Sequence, residues 1–211
     1  MRQAQGTAVP APIGGWNTRD AVDMMGPADA IILDNFFPDE SEVKLRNGSA
    51  SHATGLTHAV ESIMPYKSGS ASKLFAATSG GNVYDVTSSG SVGSAAISSL
   101  SNGQFQYVNF GTSGGNFLWI CNGADAPRHF NGTSWATPSI SGVTGSTIVN
   151  VTAHKTRLFF VLINSLKFGY LPVASVAGTV ATFDLASIAQ KGGSLQAIGT
   201  WTRDGGDGSD D

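Results

Sequence analysis

The stretch NFLWICNGADAPRHFNGTSW, Asn116–Trp135, decides how the chain is read. Phe117 to Cys121 is an unbroken apolar run, and it stops at Asn122-Gly123. Both turn residues tolerate positive φ, so the chain can reverse there. PRHFN then opens a second short strand, and Asn131-Gly132 ends it. A half-solvated strand alternates apolar and polar residues. One without alternation is buried on both faces, as in the inner strands of stacked sheets.

The same scheme recurs on either side. KLFAATSGGNVYDV holds two strands around Gly80-Gly81, and QFQYVNF leads through GTSGG into the opening stretch. IVNVTAHKTRLFFVLINSLKFGYL repeats the pattern, with a turn near Asn164. ATFDL and SLQAIGTWTR are expected as a last pair. Leu74, Leu118 and Leu158 hold matching places, at steps of 44 and 40 residues. Units of about 40 to 50 residues with short antiparallel strands suit β-propeller blades. The expectation is therefore an all-β chain, with an N-terminal segment at 1–57 and about three propeller-like blades at 58–211. A plain β-sandwich is the alternative. Three blades do not close a ring, so further chain or neighbouring chains would have to supply the missing edges.

Composition fits many strands and turns. The 211 residues are 41% hydrophobic, with 27 glycines. A net charge of −3 gives no electrostatic reason to hold nucleic acid or an anionic membrane. One cysteine, Cys121, rules out an internal disulfide framework and lies in a strand that reads as buried. The N-terminus lacks the apolar core of a secretory signal, and LFFVLI, the longest apolar run, is too short for a membrane helix. The chain reads as soluble and made in the cytoplasm.

VPAPIGGWNTRDA contains two prolines and two glycines and reads as extended. It is either a free tail or an arm docked on another surface, and Trp16 favours the arm. Trp16, Asn17, Arg19 and Asp20 are the expected contacts to a neighbouring subunit. GPADAIILDNFFP is the best helix candidate, with Pro27 at its first position and Pro38 beyond it. SEVKLRNGS reads as a strand.

No nucleophile elbow, phosphate loop or H-E-x-x-H zinc-protease motif is present. Between residues 62 and 200 the acidic residues are Asp85, Asp125 and Asp184, which leaves little choice for a hydrolytic site. Enzyme activity, cofactors and bound metals are accordingly not expected. The terminal GGDGSD, Gly205–Asp210, resembles one unit of a calcium β-roll, but such cages need tandem copies. Trp135 and Trp201 could stack a sugar ring, so a carbohydrate-binding module is a second reading. Trp119 is assigned to the core.

The N-terminal PIGGWNTRDAVDMMGPADAIILDNFFPDESEVKLRNG resembles the opening of a group of tailed-phage and prophage structural proteins. KLFAATSGGNVYDVT, NGADAPRHFNGTSW, NSLKFGYLP and GTWTRDGGDGSDD are similar to later landmarks of that group. The group is that of the tail nozzle, or tail tubular, proteins of short-tailed phages. The resemblance implies a propeller-based virion subunit that forms a ring, hexameric by analogy, below the portal and tail adaptor. It also implies a channel for genomic DNA during ejection, without sequence-specific contacts and without a membrane partner.

Overall fold

The computed structural model describes residues 6, 8–69 and 71–201, and these are built from strands and turns. Among them, helical geometry is confined to two short 3₁₀ segments, Val22–Met24 and Gly145–Thr147. The all-β expectation holds at this level. The chain divides into two units, Met1–Ala50 and Ser51–Asp211.

In the first unit β1 (Gly15–Trp16) pairs in parallel with β2 (Asp29–Ala30), and β3 (Phe36–Pro38) pairs antiparallel with β4 (Val43–Leu45). The helix expected from Pro27 is not formed. The peptide groups of Asp29 and Ala30 are committed to the ladder with Gly15 and Trp16, so they cannot bond along a helix. The Asp29 carboxylate turns back to accept from the Gly26 N–H at 3.1 Å and from Asn17 Nδ2 at 2.8 Å. Asn35 then adopts a φ of 63°, a left-handed conformation that reverses the chain before Phe36.

The second unit starts earlier than residue 58, because β5 (Ala53–Thr54) belongs to it. Its first sheet is β6 (Val60–Ser68), β7 (Ala71–Thr78) and β8 (Asn82–Asp85), with Ile97 bridged to Val83. β9 (Gly90–Ser91) returns to pair in parallel with β5. The second sheet runs β10 (Gln106–Thr112), β11 (Gly115–Cys121), β12 (Arg128–Phe130) and β13 (Trp135–Ala136), each antiparallel to the last. β14 (Ile140–Ser141) leads to the third sheet through β15 (Ile148–His154), β16 (Arg157–Leu162) and β17 (Lys167–Tyr170). β18 (Gly178–Thr179) pairs in parallel with β14, and β19 (Ala181–Asp184) completes the third sheet beside β17.

Turn chemistry fixes the hairpins. Gly81 has a φ of 72°, and a Cβ there would run into the Leu100 carbonyl. Gly123, at φ 70°, and Asn164, at φ 51°, reverse the chain where the sequence places turns.

Two cores separate the three sheets. Met64, Tyr66, Phe75, Ala77 and Val83 of the first sheet meet Leu118, Ile120 and Phe130 of the second. Trp119 and Cys121 point to the other face, where they meet Ile148, Val151, Leu158, Phe160 and Leu162 of the third. Alternate residues of β11 thus enter two different cores, which explains its unbroken apolar run. Side chains also stitch the first two sheets together. Asn109 accepts from the Lys67 N–H at 3.0 Å and donates to the Pro65 carbonyl at 2.8 Å. The Phe105 N–H donates to Ser62 Oγ at 2.8 Å.

Among the described residues, the final expected strand is not formed over 194–201. β19 forms the edge of the third sheet, and SLQAIGTW makes no ladder with it. Instead it lies near β15, held by the Leu195 N–H on the Ser165 carbonyl at 2.8 Å. Thr200 Oγ1 and His154 Nδ1 are 2.6 Å apart at the far end. The GGDGSD segment lies outside the described residues.

Candidate interaction surface

The four predicted contact residues come together around Asp29. Asn17 sits at the centre: its Oδ1 accepts from the Arg19 and Asp20 N–H groups at 3.0 and 3.2 Å. Its Nδ2 donates to Asp20 and Asp29. Arg19 bonds Asp20 through two nitrogens, at 2.9 and 3.1 Å. The guanidinium, with help from Asn17, holds the Asp20 carboxyl below the usual carboxylate range. Gly14 is required beside this knot, since a Cβ would overlap Asp29 and come within 2.9 Å of the Ala28 carbonyl.

Asn17 and Asp20 are therefore spent on folding the loop. Trp16 and Arg19 face outward. The Trp16 indole N–H is satisfied by the Ile31 carbonyl at 3.0 Å, yet the residue is 68% exposed. Its polar end is tied down and its apolar surface is left in water.

Trp16 has company. Val22, Met24, Ile31, Ile32, Phe36, Phe37 and Leu45 are all exposed, Ile32 to 73%. Among the described residues of 1–50, Ala30 is the one hydrophobic residue in the buried core. The sequence reading made Gly26–Pro38, which holds Ile31, Phe36 and Phe37, a helix candidate. It missed their exposure because exposure depends on partners, not on local pattern. The signal available was strand length: two or three residues cannot roof over this many large side chains.

A second apolar surface lies on the third sheet. Phe159, Phe168, Tyr170 and Phe183 share the face turned away from the second core, which the register of β16, β17 and β19 dictates. Phe168 and Phe183 ring centroids are 5.4 Å apart, and those of Phe159 and Tyr170 are 5.9 Å apart. The Arg157 guanidinium stands 5.5 Å above the Tyr170 ring. Phe183 is 48% exposed.

The remaining candidates are dispersed. Asp85 is held by Lys73 Nζ at 2.7 Å and by Thr87. Burial alone would raise its carboxyl, but these donors outweigh burial and hold it below the ordinary range. Asp125 receives Asn122 Nδ2 at 2.7 Å and both the N–H and hydroxyl of Ser101 at 2.8 Å, with the same net direction. Asp184 accepts from the Ala186 N–H and faces Lys167 at 3.7 Å. The three carboxylates serve three separate local structures. Among the described residues, no three metal-ligating side chains converge. Cys121 is buried, and burial pushes its thiol up to about 12, so it is unreactive at neutral pH. Trp119 is buried against Phe160, as assigned. Trp135 is half-buried against Phe75 and Phe130, whereas Trp201 is 88% exposed. Among the described residues, no helix is long and apolar enough to cross a membrane. The chain matches no family model, no curated protein and no solved structure.

Proposed function

We propose that the chain is a virion structural subunit, a tail nozzle or tail-tube component that works by self-association. The observation that carries this reading is the unroofed apolar surface of residues 1–50. Ordering a residue costs roughly 1–2 kcal/mol of backbone entropy. One buried alanine and a few ladder bonds do not offset that over some forty residues. Such a unit gains its stability on a partner, and exposed patches of this kind mark interaction surfaces.

On this reading the three sheets are propeller blades, stacked face to face in chain order, and copies of the chain assemble as a hexameric ring beneath the tail adaptor. The ring encloses part of the path for genomic DNA, which passes without base-specific contacts. The subunit is made in the host cytoplasm and resides in the virion tail. The carbohydrate-binding alternative rests chiefly on exposed Trp201, since Trp135 is half-buried against Phe75 and Phe130.

Light scattering and electron microscopy of the full chain test the proposal. Closed rings at high micromolar concentration are expected. A strictly monomeric chain that also fails to join purified tail adaptor overturns it, and hits on a glycan array would move the assignment to the alternative.

A further inference from the structure

We infer that residues 14–46 of one copy dock on the aromatic face of the third sheet of a second copy, head to tail. The inference rests on the self-association proposed above and names the surface that receives the arm. Two observations select it. The first is apolar complementarity: the arm exposes Trp16, Ile32 and Phe37, and the third sheet exposes Phe183 beside the half-buried rings of Phe168 and Tyr170.

The second is charge. Residues 1–50 carry seven acidic and four basic side chains. Residues 51–147 balance, with three of each. Residues 148–201 carry Lys155, Arg157, Lys167 and Lys191 against Asp184 alone. The acidic surplus of the arm and the basic surplus of residues 148–201 are thus separated in the sequence, and Arg157 lies on the aromatic face itself. Opposite charge around an apolar centre steers association and fixes its register. Different patches on the two partners make the contact heterologous, which closes into rings or runs on as filaments.

The test places a photo-crosslinking phenylalanine analogue at Phe183 in the full chain, with ordinary and ¹⁵N-labelled copies mixed. Crosslinks from position 183 to residues 14–46 of the oppositely labelled copy are expected. Phe183→Glu should weaken association roughly tenfold or more without lowering the melting temperature. Arg157→Glu, at the rim of the face, should weaken it less, and rising salt should weaken the unaltered chain. Crosslinks confined to one label overturn the inference, since the arm then folds onto its own sheet. Crosslinks to residues 202–211, which carry four aspartates, also overturn it by assigning the basic surface to that segment. Association that survives both substitutions means a different receiving surface, with self-association intact. No association in any chain removes the underlying proposal instead.

Discussion

Residues 1–50 and the three-sheet unit use their hydrophobic residues in opposite ways. The sheets bury Trp119 completely, between strands long enough to give two packed faces. The first unit holds a tryptophan of the same chemistry, Trp16, in a strand of two residues and leaves it in water. Hydrophobic content does not separate the two regions. Strand length does: a ladder of six or seven residues presents a surface that another sheet can cover, and a ladder of two does not.

The sharpest way to break this comparison is to make the same truncation in both regions. Trp119→Ala removes a ring stacked on Phe160 at 4.8 Å, and should lower stability by roughly 3–5 kcal/mol in denaturant unfolding. Acid should have an intermediate effect on the sheets. Burial depresses the His129 imidazole, so the folded state resists its protonation. That contribution is present above the ordinary histidine value and is lost as pH falls below about 6.5. Asp85 and Asp125 are also depressed, so theirs persists to about pH 4 and is lost below it. Melting temperatures from pH 8 to 3 should therefore decline in two stages, and His129→Gln should remove the first stage only. The smallest effect is expected from Trp16→Ala, which should shift the main melting transition by no more than about 0.5 kcal/mol. A loss equal to that of Trp119→Ala would show that Trp16 is part of the same cooperative core.

The hairpins were legible because their signals are local. Apolar runs such as Leu158–Leu162 and turn residues such as Gly123 and Asn164 state the strand and the reversal within a few positions. Two-residue pairings such as β5 with β9 and β14 with β18 were not legible, since each joins segments remote in sequence and carries no pattern of its own. The false helix at Pro27 had good local signals, which the long-range ladder from Asp29 to Gly15 overrode. The false strand at SLQAIGTW shows the converse: alternation supplies a face but not a neighbour to pair with. Of the site, all four contact residues were read as outward, whereas Asn17 is tied inward to Asp29, twelve residues away, and to Asp20.

The two-sided use of β11 has a consequence for synthesis. Chains emerge from the ribosome N-terminus first, and domains form as their residues appear. When Cys121 has been made, Leu118 and Ile120 can already close on the first sheet. Trp119 and Cys121 must wait for Ile148, Leu158 and Phe160. For that interval the nascent protein carries a sticky half-built wall, and this is the stage at which a chaperone would find it.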